Sequence, residues 1–265
     1  MNEQIKLRTM GVVNWIGLWT LYLREVRRFM KVFTQTLLAP VVTTLLFLAV
    51  FALALGGIQR TVGGVPFMEF LAPGLIVMAI AQNAYANTSS SIMISKIQGN
   101  IIDTLMPPFT AHELTFGIAM GGATRGVLVG IAVAIAMSFF VPIQIHHAGY
   151  IVYHGLMAAL MLSLLGLIGG IWSEKFDHIA AVTNFVITPL SFLSGTFYSI
   201  QRLPEAVQLA AHLNPFFYMI DGLRYGVIGH ADGSLGLGLI VMAGVNVGLW
   251  GLSTWMFASG YKLKA

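Results

Sequence analysis

The stretch "TPLSFLSGTFYSIQRLP", residues 188–204, begins as an apolar run of the kind that crosses a membrane and stops before the crossing is complete. Four residues interrupt the run: Pro189, Ser191, Ser194 and Gly195. Arg202 and Pro204 end it, and the hydrophobic residues that follow are too interrupted to form another full span. Non-helical backbone at membrane depth survives only where protein or water covers it. The pattern therefore predicts a broken helix followed by segments that enter the membrane and return.

The composition is that of a membrane protein. Of 265 residues, 57% are hydrophobic and 9% are charged, and the mean hydropathy is +0.82. Soluble domains carry roughly 25% charged residues. Long stretches contain no Asp, Glu, Lys or Arg: residues 32–59, 70–95, 126–173, 179–201 and 233–261. A helix needs about 20 apolar residues to cross the hydrocarbon layer, so the fold class is predicted to be an all-α, polytopic membrane protein.

Six spanning helices are predicted. They cover approximately residues 34–56, 69–94, 112–140, 149–171, 178–199 and 236–258. An even number of spans places both termini on one side. Ten lysines and arginines fall on that side: Lys6, Arg8, Arg24, Arg27, Arg28, Lys31, Lys96, Lys175, Lys262 and Lys264. Three fall on the other: Arg60, Arg202 and Arg224. The positive-inside rule therefore predicts cytoplasmic termini.

The segment before the first span has two faces. Aromatic and apolar residues recur every three or four positions: Trp15, Trp19, Tyr22, Val26, Phe29 and Phe33. Cations occupy the opposite face: Arg24, Arg27, Arg28 and Lys31. This pattern favours a helix in the headgroup plane, with its cations on lipid phosphates; the alternative is a helix that faces a protein core. We predict two regions, a cytoplasmic segment and interface helix over 1–33 and a six-helix membrane domain over 34–265.

The loop after the second span predicts a short helix with apolar residues exposed. Ile101/Leu105 and Ile102/Met106 are pairs with i,i+4 spacing, and Asn100 is a candidate N-cap. Two prolines, Pro107-Pro108, end this helix. Thr110 and Glu113 then have the spacing of a capping box at the start of the third span. Such a helix either docks on a partner or only touches lipid, and both alternatives are open at this point.

Arg125 is predicted to lie inside the third span. A charge within the bilayer is costly and faces a partner or water, so Arg125 either pairs with Glu69 or a helix-end carbonyl, or contacts a transported substrate. Glycines around it predict close packing of helices: Gly117, Gly121, Gly122, Gly126 and Gly130. The pairs Gly166/Gly170 and Gly244/Gly248 repeat that spacing.

Several kinds of chemistry are disfavoured. The chain has no cysteine, and His146, His147 and His154 have no carboxylate near them in sequence, so we expect no metal site. Asp177-His178 lacks a candidate nucleophile, and no catalytic site is predicted. The net charge is +4, and much of the positive charge lies in the predicted interface helix, which indicates binding to lipid rather than to nucleic acid. No Gly-Lys dipeptide occurs, so the chain has no P-loop and cannot hydrolyse ATP by itself.

Two half-length helices are predicted after the broken stretch. The first covers 204–213, with Pro204 suited to its first position. It stops at Asn214-Pro215, and the second covers 215–228, with Asp221/Arg224 as a possible i,i+3 pair. Each is roughly half the length that a span requires. We expect them to enter from outside, return, and cover whatever lies between the spans.

Three blocks of the sequence resemble the ABC-2 type transporter permeases, which are membrane subunits of bacterial ATP-binding-cassette exporters. The most specific block is "PLSFLSGTFYSIQRLPEAVQLAAHLNPFFYMIDGLRYG" (189–226). Two further blocks match in the right order, "FLAPGLIVMAI" (70–80) and "GNIIDTLMPPFTAHELTFG" (99–117). The resemblance extends over residues 20–258, nearly the whole chain.

The resemblance implies an architecture and partners. It implies six spans, an amphipathic N-terminal helix, re-entrant outer helices before the last span, a homo- or heterodimer, and a location in the bacterial inner membrane. It also implies that the 99–106 helix is a coupling helix that docks on a separate ATPase subunit. The coupling residues are then Asn100, Ile101, Ile102, Asp103, Leu105 and Met106. The family commonly has a Thr-Leu-Glu type triplet where this chain has Asn100-Ile101-Ile102-Asp103.

The resemblance further implies an outer gate in the re-entrant region. The residues assigned to it are Pro189, Gly195, Phe197, Tyr198, Pro204, Asn214 and Pro215. ATP and Mg²⁺ would bind the partner ATPase, and this chain would hold no cofactor. The expected cargo is amphipathic, drug-like or lipid-linked, because the membrane segments are rich in Met and Phe. The alternatives are a polysaccharide exporter, an ion-coupled secondary carrier and an integral membrane enzyme that acts on lipid.

Overall fold

The computed structural model describes residues 13–55 and 61–263. Four cations of the charge count, Lys6, Arg8, Arg60 and Lys264, lie outside these residues, as does most of the 1–33 region before the first helix. Within the described residues the chain forms eleven α-helices: α1 (Trp15–Met30), α2 (Phe33–Leu55), α3 (Phe67–Ile97), α4 (Ile101–Leu105), α5 (Ala111–Ser138), α6 (Ala148–Trp172), α7 (Phe176–Val182), α8 (Thr188–Leu193), α9 (Glu205–His212), α10 (Pro215–Ile228) and α11 (Leu235–Ser259).

Six of these helical segments are long and apolar enough to cross a membrane. They are α2, α3, α5, α6, the continuous segment α7–α8, and α11. The prediction of an all-α polytopic membrane protein with six spans is therefore confirmed. The division of the chain at residues 33 and 34 stays a prediction.

A small hairpin before α3 was not predicted. Strands β1 (Thr61–Val62) and β2 (Val65–Pro66) pair antiparallel. Gly63 and Gly64 form the turn with φ values of 59° and 80°. A two-residue hairpin turn of type I′ needs positive φ at both positions, which glycine adopts without a steric cost.

Helix α3 is the centre of the bundle. It packs against α5, α6, α10 and α2, and most of its length is buried. Glycines allow the close approach, because a Cβ at Gly126 would meet Ala84 and one at Gly170 would meet the backbone of Ser89. The predicted packing role of these glycines is confirmed. Gly244 and Gly248 have no side chain or neighbouring element of the described chain within 4 Å of a Cβ position, so their packing role stays a prediction.

The bundle has two distinguishable ends. We call the α4 end the one that holds α1, α4, the loop between α6 and α7, and the residues after α11. We call the hairpin end the one that holds β1–β2, the segment after α8 and the loop after α10. Residues far apart in the sequence are in contact at each end. At the hairpin end Arg202 donates to the carbonyl of Thr61 at 3.3 Å, and at the α4 end Lys262 pairs with Glu174 at 2.9 Å.

The fifth span is continuous through Pro189 and ends earlier than predicted. A π-helical turn, Thr183–Ile187, joins α7 to α8, and the wider turn accommodates a proline that has no N–H to donate. The serines do not break the helix, because Ser191 and Ser194 donate to carbonyls four residues before them. The helix ends at Leu193 rather than near residue 199, and Gly195 with a φ of 77° turns the chain.

Candidate transport path and coupling surface

Helix α1 packs against α5 through one face and leaves its tryptophans exposed. The buried residues of α1 are Leu18, Leu21, Glu25 and Phe29. Trp15 and Trp19 expose 72% and 60% of their surface, as an interface helix requires. The start of α1 is bound to α5, since the backbone N–H of Asn14 donates to Glu113 at 2.7 Å. The capping box of Thr110 and Glu113 is confirmed.

Two of the four cations on and just after α1 hydrogen-bond to protein groups. Arg28 donates to the side chain of Asn87 at 2.9 Å and to Glu25 at 3.4 Å. Arg24 donates to Glu25 at 3.0 Å and to Thr104 on α4 at 2.8 Å. A buried carboxylate on the same helix attracts both cations, and their predicted contact with lipid phosphates stays a prediction. Arg27 and Lys31 are exposed, and for these two the lipid contact also stays a prediction.

Helix α4 turns its two apolar pairs in different directions. Ile101 is buried in a cluster with residues of α1, α3, α5, α6 and α11, and Leu105 packs against that cluster. Ile102 and Met106 instead expose 56% and 78% of their surface. The expectation that Ile101, Ile102 and Leu105 form one exposed face is therefore wrong. Consecutive residues of a helix point about 100° apart, and the neighbouring helix ends cover only one of the two pairs.

The predicted cap of α4 also differs. Asn100 occupies the N-cap position, but its side chain donates to Gln98 at 3.2 Å and caps no α4 amide. Asp103 is exposed and forms no ion pair with the residues that the structure describes. Its carboxylate is therefore accessible to a partner. The helix ends before Pro107, as predicted.

A groove of about 820 Å³ lies beside the exposed pair of α4. It is bordered by the end of α3, by Glu174 in the α6–α7 loop, and by Lys262 and Leu263 after α11. The Lys262 ammonium donates to Glu174 and lowers the pKa of that carboxyl. Lys96 fastens the same region, since its Nζ donates to the carbonyls of Ile171 and Ser173 at 2.8 and 2.6 Å. The groove is therefore lined by an apolar helix face and by charged groups that are already paired.

At the hairpin end, Asn214 connects three pieces of the chain. Its side chain accepts from the Phe216 N–H at 3.1 Å and so caps α10. It also donates to Ser194 at 2.7 Å and to the carbonyl of Leu190 at 3.2 Å, both at the end of the fifth span. Pro215 is the first residue of α10, while Pro204 precedes α9 by one residue instead of starting it. The two predicted half-helices are present, and their depth in the membrane stays a prediction.

Asp221 and Arg224 on α10 do not pair with each other. Asp221 accepts from the backbone N–H groups of Asp232 and Gly233 at 2.8 and 3.0 Å. Arg224 is fully buried, and it donates to the Gly195 carbonyl. Each side chain thus holds a different loop against α10, which is why the predicted i,i+3 pair is absent. Sequence reasoning counted Arg224 among the cations on the outer side of the membrane and missed this role.

Asp232 fastens the segment after α8. It accepts from the Ser199 hydroxyl at 2.7 Å and from the Ile200 N–H at 3.1 Å, and it contacts His230 at 3.1 Å. The backbone of Thr196 in this segment lies against α3, where a Cβ at Gly74 would come within 2.9 Å of the Thr196 carbonyl oxygen. Gly74 of the 70–80 block thus has a structural reason.

Aromatic rings close the space between α2 and the end of the fifth span. Phe197 stacks on Phe51 of α2 with ring centroids 4.8 Å apart, and it meets Phe192 edge-on at 5.2 Å. Tyr198 lies next to it and is half-buried. The structure brings Phe197, Tyr198, Gly195 and Asn214 together at the hairpin end, with Pro189 in the first turn of α8. Their role as a gate stays a prediction.

Arg125 lines an open cavity between α2, α3 and α5. Its Nη2 donates to Asn83 on α3 at 3.3 Å. The predicted partner Glu69 is fourteen residues earlier on α3, about 21 Å along the helix axis, so the pairing with Glu69 is wrong. The contact with neutral Asn83 does not test the other alternative, a contact with substrate.

The described residues contain no group of three or more His, Cys, Asp or Glu side chains arranged to hold a metal. His154 lies on α6 and is buried, with its Nδ1 3.1 Å from the Tyr150 carbonyl. His146 and His147 contact Tyr225 through their rings.

Comparison with known proteins gives one consistent result. The family model described as "ABC-2 type transporter" matches residues 17–228, from the first turn of α1 to the end of α10. The chain belongs to the ABC-2 type transporter family. It is 40% identical over 218 residues to "Inner membrane transport permease YadH" of Escherichia coli strain K12. The matched region covers 82% of this chain and 85% of that protein.

More distant relatives match over a similar length. "Nodulation protein J" of Neorhizobium galegae is 23% identical over 235 residues, 88% of each chain. "Nodulation protein J" of Rhizobium leguminosarum bv. trifolii is 25% identical over 222 residues, 83% of each chain. The chain is therefore a multi-pass inner-membrane transport permease of the ABC-2 type.

Sequence reasoning missed the polar lining of the cavity beside Arg125. Besides Arg125 the lining carries three amides and three hydroxyls: Gln35, Gln82, Asn83, Thr36, Thr43 and Thr44. A signal was present, because Gln82-Asn83 lies in the middle of a predicted span, where polar side chains are costly. Their convergence on Arg125 needed the packing of α2 against α3.

Proposed function

We propose that this chain is the permease subunit of an ATP-driven exporter and that separate ATPase subunits dock at α4. Two copies of the permease and two ATPase subunits would form the working complex. The observation that carries this proposal is the exposed Ile102/Met106 pair on a short helix that is otherwise fixed in the bundle. An exposed apolar face of this kind is stabilised by burial against a partner.

The contacts that fix α4 in the bundle are suited to transmit motion. Ile101 is anchored among residues from four spanning helices and α1, and Arg24 connects α4 to α1 through Thr104. A displacement of α4 would therefore move the ends of α3, α5, α6 and α11 together. ATP and Mg²⁺ would bind the ATPase subunits, and the driving force is the difference in nucleotide affinity between two conformations.

The α4 end is proposed to be cytoplasmic. Seven of the described Lys and Arg residues lie at that end: Arg24, Arg27, Arg28, Lys31, Lys96, Lys175 and Lys262. Arg202 lies at the hairpin end and Arg224 is buried in the bundle. This distribution supports cytoplasmic termini through the positive-inside rule. The aromatic contact of Phe197 with Phe51 would then close the path on the outer side.

An amphipathic cargo is favoured over a glycan or a coupled ion. Among the residues that the structure describes, Phe47 is the one aromatic residue that lines the Arg125 cavity, whereas a glycan path is expected to be richer in aromatic rings. An ion-coupled carrier needs an available carboxylate in the membrane. The buried carboxylates of the described chain are all bound: Glu25 to two arginines, Glu113 and Asp221 to backbone N–H groups, and Asp232 to Ser199 and Ile200. Glu69 is half-buried, and it lies in the first turn of α3, at the end of a span rather than in its middle.

Co-purification with an ATPase tests the proposal. We expect the double variant Ile102→Asp/Met106→Asp to lose a co-expressed ATP-binding-cassette ATPase and the ATP hydrolysis of the complex. Because both side chains point away from the bundle, the variant should retain the wild-type unfolding midpoint. Substitution of Ile101 would not separate docking from folding, since that side chain is buried.

The matched control lies at the opposite end. Leu209 and Leu213 have the same spacing on and just after α9 and expose 65% and 80% of their surface. Leu209→Asp/Leu213→Asp should leave the ATPase bound. Undiminished binding by the α4 variant would overturn the assignment of α4 as the docking helix.

A further inference from the structure

The cavity around Arg125 has an unusual charge balance. Its volume is about 480 Å³, and the side chains that line it include no carboxylate and no cation other than Arg125. Arg125 has no Asp or Glu oxygen within 4 Å in the described part of the chain. A cavity with one positive charge and no negative charge favours an anion.

Arg125 keeps much of its hydrogen-bonding capacity. A guanidinium has five N–H donors, and the single bond that the structure gives it, to Asn83, is long at 3.3 Å. Its Nε is buried and has no hydrogen-bond partner among the described residues. Arg28 gives the contrast, because Glu25, Ser90 and Asn87 occupy its donors.

The neighbouring side chains add further donors. In the described chain the amides of Gln35 and Gln82 make no hydrogen bond to protein, and neither do the hydroxyls of Thr43 and Thr44. All four line the same cavity as Arg125. Carboxylates and phosphates bind arginine through two parallel N–H···O bonds and accept further bonds from amides and hydroxyls.

The remaining lining is apolar. Met78, Leu75 and Phe47 border the cavity, and the outward side of α2 is exposed at Leu38, Val42 and Leu46. Arg125 is fourteen residues into α5, about 21 Å from its start. A ligand whose charged group meets Arg125 would thus have its hydrocarbon part beside apolar side chains or lipid.

We propose that Arg125, Gln82 and Gln35 bind the anionic group, a carboxylate or phosphate, of an amphipathic cargo. This rests on the proposed transport function and names the substrate class. Zwitterionic and cationic amphiphiles of the same chain length bind less well, because the cavity has no carboxylate for the added cation. The acidic group of a membrane lipid and that of a free amphiphile present the same chemistry.

Direct binding to the permease without ATPase tests the site. The full chain in phosphatidylcholine nanodiscs is titrated with radiolabelled dodecyl phosphate, with dodecylphosphocholine as competitor. We expect Arg125→Gln to weaken dodecyl phosphate binding tenfold or more and Arg125→Lys to weaken it less. Arg27→Gln, which removes an exposed cation on α1, should leave binding unchanged. Equal affinity for the two amphiphiles, or undiminished binding by Arg125→Gln, would overturn the proposal.

Two further arms complete the test. If Arg125→Gln does not fold, Gln82→Leu takes its place, and a several-fold loss is expected because Gln82 has no partner within the described chain; unchanged affinity would count against the site. Nanodiscs doped with phosphatidic acid distinguish the sources, since competition supports a lipid cargo and its absence supports a free anionic amphiphile. Because no ATPase is present, failure here is separate from failure of docking at α4.

Discussion

Arg224 on α10 and Arg125 on α5 both lie within the helix bundle, but their guanidinium groups have different surroundings. Arg224 is fully buried, its Nη2 donates to the Gly195 carbonyl, and its guanidinium lies 3.9 Å over the Phe70 ring. Arg125 makes one long bond to Asn83 and faces a cavity. A charge in the membrane can therefore stabilise a turn of the backbone or remain available to a ligand, and the distinction depends on access rather than on residue type.

The surroundings of Arg224 are parts of the fold that need support. Gly195 has left the helical conformation, so its carbonyl has no partner within α8. The backbone here lies inside the bundle, where an unsatisfied carbonyl is costly. Arg224 satisfies that carbonyl and lies over the face of Phe70, while its buried Nε and Nη1 have no hydrogen-bond partner among the described residues.

Removal of each guanidinium gives the largest expected difference. Arg224→Met should lower the free energy of unfolding by about 2 kcal/mol, since hydrogen bonds to charged groups contribute about that much. Arg125→Met should change it by less than about 0.5 kcal/mol, because it removes a charge that the fold does not use. Unfolding of both variants in detergent checks this. An equal loss in the two variants would erase the distinction drawn here.

Strain at the acceptor of Arg224 should have an intermediate effect. Gly195→Ala places a Cβ at a φ of 77° and 3.2 Å from both Ile200 and the Tyr198 carbonyl. The left-handed conformation costs an alanine about 1 kcal/mol, and the tight contacts add to it. Gly260→Ala is the control, with a φ of 67° and open space around the Cβ in the described chain. If both variants lose the same stability, the surroundings of Gly195 contribute nothing.

Removal of the acceptor of Arg125 should have the smallest effect. Asn83→Ala deletes the one hydrogen bond that the structure gives Arg125. Water in the open cavity can replace the amide, so the free energy of unfolding should fall by less than about 0.5 kcal/mol. The same detergent unfolding measurement applies. A loss as large as that of Arg224→Met would show that Arg125 also holds the fold together.

Much of the fold could be predicted because it depends on local properties. The capping box of Thr110 and Glu113, the end of α4 before Pro107 and the start of α10 at Pro215 each follow from the backbone chemistry of a few adjacent residues. The six spans follow from uninterrupted apolar length. Ser191 and Ser194 misled the prediction of a broken helix, because their hydroxyls can bond to carbonyls of the preceding turn.

The side-chain partners could not be predicted in the same way. The sequence places Ile101 and Ile102 equally well on an exposed face, and only the convergence of five other helices on α4 covers Ile101. Likewise Arg24 and Arg28 match a lipid-facing stripe until Glu25, Thr104 and Asn87 are seen beside them. These contacts join residues far apart in the chain.

The sequence by itself thus determined that this protein crosses the membrane six times, that its fifth span ends in a turn, and that it resembles ABC-2 type permeases. Hydrophobic length and backbone chemistry are local, so they are readable without a fold. Only the tertiary structure decided which side of α4 is exposed, that Arg224 supports the Gly195 turn, and that Arg125 faces a polar cavity. Those outcomes depend on which distant groups come within about 3 Å of each other, and packing alone sets that.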